Sequence, residues 1–104
     1  MLEEDYGLYV WPSAIVLAQY LYSYPDLVAG KSVWELGSGT GLAGVVAAHI
    51  GAHVTFTDHD EYRTVLDNLC KVVGVNQVQG KVMGVTWGEF SPEMLFAIPP
   101  DVLM

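Results

Sequence analysis

The chain has 104 residues, which allows one domain or less. Hydrophobic residues make up 52% and aromatic residues 12% of it, and this composition excludes a disordered chain. The formal net charge is −8, with only four Lys and Arg residues. This balance argues against non-specific binding to nucleic acid, because such binding requires basic side chains that neutralise phosphates.

The first third of the chain predicts a helix, a strand and a second helix. Pro12 suits a first helical turn, and Tyr24-Pro25 ends the run that follows, so a helix is expected over about residues 12–23. Residues 32–36 form a short, bulky, apolar run before Gly37, which is typical of a buried strand. Residues 42–50 are rich in Ala and Val, and Gly51 marks the helix end.

The remaining elements continue the alternation. Residues 53–57 are β-branched or aromatic and predict a strand. The other expected elements are a helix over 60–73, a strand over 81–86, a short helix over 91–96 and the start of a fourth strand at 101–104. Alternating strands and helices predict parallel βαβ units with right-handed crossovers. We expect residues 1–30 to be an N-terminal segment with a helix, and residues 31–104 the first half of an α/β domain that stops after its fourth strand starts.

The sequence ELGSGTG at residues 35–41 follows a predicted strand and opens a predicted helix. Glycines at such a position allow a tight turn and a close approach of ligand to backbone. The dinucleotide fingerprint needs Gly or Ala at its third place, where this chain has Leu42. An NAD-binding module is therefore the weaker alternative, and a purely structural glycine turn is the other.

Two further residues lie where a nucleoside would be held. Asp58 ends the second strand, and a carboxylate there can accept hydrogen bonds from both ribose hydroxyls. Its alternative role is a helix cap, although Asp60 is the better candidate for that. Trp87 follows the third strand and can stack on an adenine ring or pack in the core. His49, His53 and His59 lack metal-site spacing, although His59 could border the pocket.

Three motifs together resemble the lysine methyltransferase-like family of seven-β-strand methyltransferases. They are GLYVWPSA at 7–14, ELGSGTGL at 35–42 and TWG at 86–88. The resemblance covers essentially the whole chain and implies a Rossmann-like class I fold that uses S-adenosylmethionine. It implies that the methionine part is held by Glu35, Gly37, Ser38, Gly39 and Gly41, the ribose by Asp58, and the adenine side by Trp87, with Trp11 covering the cofactor. Many relatives have Asp where this chain has Thr86.

The resemblance also implies a protein methyltransferase acting on lysine or arginine, with histone H3 or chaperones as substrates and the nucleus and cytoplasm as locations. No catalytic residue can be assigned, and no metal is expected. We expect weak or absent turnover from residues 1–104 alone, because the family continues into a segment that helps to form the substrate site. The alternative is an inactive fragment that binds a cofactor or partner.

Other features agree with an intracellular protein. The sequence has no signal-peptide pattern and no apolar run long enough to span a membrane. The lone Cys70 cannot form an internal disulfide, and its expected position is a buried face of a helix. The acidic balance favours a basic partner, for which a basic protein tail is one candidate. The sequence does not indicate an oligomeric state.

Overall fold

The structure is a computed structural model that describes residues 7–86, 88 and 99–104. Within them lie three α-helices, which are α1 (Pro12–Ser23), α2 (Leu42–Ile50) and α3 (Arg63–Val75). A 3-10 helix covers Pro25–Leu27. The strands are β1 (Ser32–Glu35), β2 (His53–Asp58), β3 (Gly80–Gly84) and β4 (Val102–Leu103). The predicted alternation is confirmed; the helix expected over 91–96 falls outside the described residues.

The strands form one parallel sheet in the order β3-β2-β1-β4. Ser32 of β1 pairs with His53 of β2, and Asp58 at the end of β2 pairs with Gly84 at the end of β3. Because all four strands run in the same direction, their carboxyl ends meet at one edge of the sheet. The chain order reverses between β1 and β4, and ligands of open α/β sheets bind beside such a reversal.

Two helices begin or end where proline and glycine require it. Trp11 caps α1 without a side-chain hydrogen bond, and Pro12 occupies the first helical position, where a missing N–H costs nothing. Gly51 closes α2 with a φ of 113°, and its N–H bonds to carbonyls of the last turn. The predicted bounds of both helices are confirmed. Gly51 has to be glycine because side chains rarely adopt this φ.

The third helix differs from its prediction. It begins at Arg63 rather than residue 60, and its N-cap is Tyr62, so Asp60 is not the cap. In the turn before it, the Glu61 N–H donates to the His59 imidazole Nδ1 over 3.1 Å. The imidazole thus accepts a backbone hydrogen bond in the turn where the prediction placed a capping carboxylate. Cys70, expected to be buried, is exposed on this helix.

The core lies between the sheet and its helices. Its largest fully buried side chains include Phe56 of β2 and Leu69 of α3. Leu21 and Val28 belong to the same cluster, so the segment before residue 30 packs on the sheet domain. The division at residue 30 stays a prediction. The opposite face of α1 is exposed, with Tyr22 at 78% of its full accessibility.

No helix within the described parts of the chain is both long enough and apolar enough to cross a membrane.

Candidate functional site

The loop between β1 and α2 turns through three alternate glycines. Gly37, Gly39 and Gly41 have φ angles of 62°, 56° and 84°, all in the left-handed region. A Cβ added to Gly37 would meet no atom within 4 Å, whereas one on Gly41 would meet Leu69 at 3.0 Å. The loop leaves a hollow at the end of β1 that is open at Gly37, which agrees with the predicted close approach of a ligand to the backbone. Gly41 instead allows α2 to pack closely on the core.

Ser38 and Thr57 fasten this loop to the end of β2. The Ser38 N–H donates to the Thr57 carbonyl over 2.7 Å, and the Thr57 N–H donates to the Ser38 hydroxyl over 3.1 Å. Both hydroxyls then donate to the Glu35 carbonyl, at 3.3 Å from Ser38 and 2.7 Å from Thr57. All these groups are buried. Ser38 was predicted to hold the cofactor, but its hydroxyl forms hydrogen bonds with the Glu35 carbonyl and the Thr57 N–H. Thr57 was not predicted as a residue of the site.

Asp58 turns its carboxylate toward the glycine loop. Its Oδ2 accepts the Gly39 N–H over 2.9 Å, and its Oδ1 accepts the His59 N–H over 2.7 Å. Neither donor belongs to α3, so the helix-cap alternative does not describe this residue. Each carboxylate oxygen has a second lone pair, so the group can accept further hydrogen bonds from a ligand.

Glu35 is the second carboxyl at this edge of the sheet, and its surroundings differ. It is 7% exposed, and its Oε1 is buried with no hydrogen-bond partner in the described part of the chain. Burial raises the pKa of this carboxyl from its ordinary 4.5 to about 7. The Ser38 hydroxyl and the Gly44 N–H oppose the increase, and the Asp58 carboxylate adds to it.

Two cavities open at the carboxyl ends of the strands, and Gly37 and Asp58 line both of them. The larger cavity, of about 390 Å³, lies between the glycine loop and the segment that leads into α1. The smaller cavity, of about 290 Å³, is also lined by Thr57, His59, Val85 and Thr86. An elongated ligand with a central polar group could therefore occupy both cavities and contact Asp58 in the middle.

Six of the eight predicted site residues line the larger cavity. They are Trp11, Glu35, Gly37, Ser38, Gly39 and Asp58. Gly41 lines neither of the two cavities, because it packs against Leu69 in the core. Trp87 falls outside the described residues. The predicted individual contacts with a cofactor stay predictions.

The outer wall of the larger cavity comes from the segment before α1 and from α1 itself. Trp11 lies there at 45% exposure, and its ring meets that of Tyr9 edge to face with centroids 4.7 Å apart. Leu17, Tyr62 and Met104 also line this cavity. These last three and Tyr9 were not predicted, since only the folded chain brings them to the loop. The aromatic pattern around Trp11 was the one available signal for Tyr9.

His59 borders the smaller cavity, as expected, and its ring lies 4.7 Å from that of Tyr62. Among the described residues, no three His, Cys, Asp or Glu side chains are grouped so that they could hold a metal ion.

Comparison with known proteins identifies the family. Residues 1–104 match the lysine methyltransferase family. The chain belongs to that family. It is 42% identical to histone-arginine methyltransferase METTL23 of Xenopus laevis over its whole length and 45% of that protein. It is 44% identical to protein N-lysine methyltransferase METTL21A of Danio rerio, over 77% of this chain and 38% of that protein.

The solved structures agree on the fold. The chain resembles the Pyrococcus abyssi tRNA (uracil-54, C5)-methyltransferase, crystallised with S-adenosyl-L-homocysteine, with a TM-score of 0.59. The match covers 77% of this chain and 19% of that one at 22% identity, so it bears on the fold alone. The predicted family and the class I methyltransferase fold are confirmed. The chain spans about half the length of the curated relatives it matches.

Proposed function

We propose that this chain binds S-adenosylmethionine across the two cavities and provides the methyl-donor site of a protein methyltransferase. The observation that carries the proposal is the position of Asp58. Its carboxylate lies between the cavities, is held by the Gly39 and His59 N–H groups, and retains acceptor capacity on both oxygens. A ribose with two adjacent hydroxyls matches such a carboxylate.

The two cavities differ in chemistry, and this difference orients the cofactor. The larger cavity is next to the glycine loop and Glu35, which suits the methionine part with its amino and carboxylate groups. The smaller cavity has an imidazole and the apolar Val85, which suits a flat adenine ring. No Lys, Arg or His is among the described residues that line the larger cavity, so a cationic sulfonium meets no like charge there.

Bound S-adenosylmethionine supplies a methyl group that its positive sulfur has already activated. The work of this chain is therefore alignment and exclusion of water rather than acid–base chemistry. Asp58 and the glycine loop fix the nucleoside and the methionine backbone. Tyr9 and Trp11 cover the larger cavity and shield the donor from solvent.

The acceptor is proposed to be an arginine or lysine side chain of another protein. The support lies in the names of the relatives, which include a histone-arginine and a protein N-lysine methyltransferase. The net charge of −8 would also attract a basic tail such as that of histone H3. A chaperone is the other substrate class proposed. For location, we propose the cytoplasm and nucleus.

Isothermal titration with S-adenosyl-L-homocysteine and with NAD tests the donor site. We expect saturable one-to-one binding of S-adenosyl-L-homocysteine and no comparable binding of NAD. Equal or tighter binding of NAD would overturn the assignment.

Transfer of a labelled methyl group tests the acceptor. The chain is incubated with labelled S-adenosylmethionine and either histone H3 or a chaperone, and the labelled residue is identified by mass spectrometry. Label on arginine or lysine supports the proposed reaction. Because weak or absent turnover is expected from residues 1–104 alone, even weak labelling supports the reaction, whereas cofactor binding with no transfer to either protein favours the alternative, a cofactor-binding module without activity on these proteins.

A further inference from the structure

Helix α1 exposes a row of apolar side chains on its outer side. Ile15, Val16 and Tyr22 are 43%, 64% and 78% exposed, whereas Leu21 of the same helix packs in the core. Ile15, Gln19 and Tyr22 are four and three residues apart, so they follow one face of the helix. Adjacent apolar side chains at a surface, unlike single ones, are typical of an interaction site.

A groove of about 510 Å³ lies beside this row, between α1 and α2. It is lined by Ala18, Gln19, Tyr22 and Ser23 of α1 and by Val46 of α2. Helix α1 has no charged residue, and the one titratable side chain of α2 is a histidine in its last turn. The groove and the row together form an uncharged surface, called the α1 face below, which consists of Ile15, Val16, Gln19, Tyr22, Ser23 and Val46.

The charge of the chain decides which kind of partner suits an uncharged surface. The chain has 12 acidic and four basic residues and a net charge of −8. A basic partner is drawn to acidic surfaces by long-range attraction, and the α1 face offers it none. Two copies of this chain repel one another through their acidic surfaces, so they approach at the lowest cost where both are uncharged. The α1 face therefore fits a second copy of the chain better than a basic protein.

The α1 face has both halves of a contact that two copies can share. Val16 and Tyr22 are exposed and lie three residues before and three residues after Gln19. In a two-fold dimer, each residue of one copy meets its contact in the other copy twice, once in each direction. If two α1 helices cross in opposite directions at Gln19, Val16 of each copy lies against Tyr22 of the other. The Gln19 amides then meet at the axis, where each can donate and accept a hydrogen bond.

We propose that this chain forms a two-fold dimer through the α1 face. Tyr22 exposes about 160 Å² if an aromatic side chain has about 200 Å² in full, and α1 is about 18 Å long. A face of this size lies at the small end of specific interfaces, so we expect a reversible dimer with a dissociation constant on the order of 10 μM. The residues of the α1 face line neither cavity of the proposed donor site, so the two proposals are independent.

Sedimentation velocity at concentrations of about 1 to 300 μM tests the dimer, because this range spans the expected dissociation constant. Wild-type protein should change from monomer to dimer across it. Val16→Glu places a carboxylate in both of the equivalent contacts and should raise the dissociation constant by about 100-fold or more. The matched control is Val75→Glu, which adds the same charge at the end of α3, where Val75 is 82% exposed. It should leave the dimer intact.

Cysteine cross-linking tests where the two copies meet. The exposed Cys70 is first replaced in a Cys70→Ser background. Gln19→Cys in this background should form a disulfide-linked dimer when it is oxidised with diamide, because the two-fold axis brings the two positions together. Val75→Cys in the same background should stay monomeric on denaturing gels.

Three outcomes would overturn the dimer. They are a wild-type monomer at every concentration, a dimer that Val16→Glu and Val75→Glu weaken equally, and equal cross-linking at positions 19 and 75. Binding of S-adenosyl-L-homocysteine is measured separately, so each of these outcomes leaves the proposed function standing. The cross-linking uses different substitutions, so it decides the question even if Val16→Glu does not fold.

Discussion

Strands β1 and β2 each end in a residue with a carboxyl group, and the two carboxyl groups lie in different environments. At the end of β2, the Asp58 carboxylate accepts two backbone hydrogen bonds from its own chain. One strand away, Glu35 is buried with an oxygen that has no partner among the described residues, and its pKa is raised to about 7. The difference teaches that backbone donors hold one carboxyl in position to accept a ribose, whereas burial raises the pKa of the other.

The largest expected effect on ligand binding comes from replacing Asp58, the carboxyl that accepts two backbone hydrogen bonds. Asp58→Asn places an amide where the Gly39 N–H now donates to a carboxylate, and the ribose loses a charged acceptor. Charged hydrogen bonds contribute about 1.5–3 kcal/mol, so affinity for S-adenosyl-L-homocysteine should fall up to about 100-fold. Calorimetry measures this loss.

The control for Asp58 is Asp67→Asn, which removes one negative charge from the exposed side of α3. It should leave the affinity unchanged. If the two variants bind equally well, Asp58 does not hold the ribose.

The second effect concerns stability. The pKa of Glu35 is raised from 4.5 to about 7 in the folded chain, so the folded state keeps its proton between these values while the unfolded chain has lost it. The stability due to this protonation is fully present below pH 4.5 and is lost as the pH rises through 7. Glu35→Gln, which is neutral at every pH, should therefore raise the free energy of unfolding at pH 8 by about 3 kcal/mol.

Urea unfolding of wild type and Glu35→Gln at pH 4 and pH 8 measures this difference. The gain should shrink toward zero at pH 4, and Glu61→Gln should show no such gain at pH 8. A variant that is destabilised at pH 8 would mean that the hydrogen bonds to the Glu35 carboxylate stabilise the folded chain more than its burial destabilises it.

The smallest effect comes from the hydroxyls that hold the two strand ends together. Thr57→Val removes the 2.7 Å hydrogen bond to the Glu35 carbonyl while keeping the side-chain shape. It should cost about 1 kcal/mol in unfolding free energy. Because Ser38 donates to the same carbonyl, Ser38→Ala and Thr57→Val should not be additive in a double-mutant cycle. Strict additivity would show that the two hydroxyls act independently.

Much of the sheet and the loop could be predicted because their signals are local. Gly37 and Gly39 follow a short apolar strand, and the left-handed φ angles that such a turn needs are present. Asp58 could be placed by its distance from that loop and by its position at a strand end. These features depend on neighbours in sequence or on one strand pairing.

The rest depends on contacts between distant segments. Thr57 appeared to be an ordinary β-branched strand residue, and only the pairing of β2 with the loop reveals its hydrogen bond to Glu35. Tyr9 and Met104 reach the same cavity from opposite ends of the chain. The start of α3 was misplaced because the His59 imidazole, rather than Asp60, accepts a backbone hydrogen bond in the turn before it. Glu35 lay within the run predicted as a buried strand, but the sequence did not indicate that its Oε1 would lack a hydrogen-bond partner among the described residues.

A crystal structure of this chain with S-adenosyl-L-homocysteine tests the central claim most directly. We expect both ribose hydroxyls to donate to Asp58, the amino group to meet Glu35 in the larger cavity, and the adenine to fill the smaller one beside His59. A ligand that is bound elsewhere, or that lies the opposite way with its adenine against Glu35, would contradict the account.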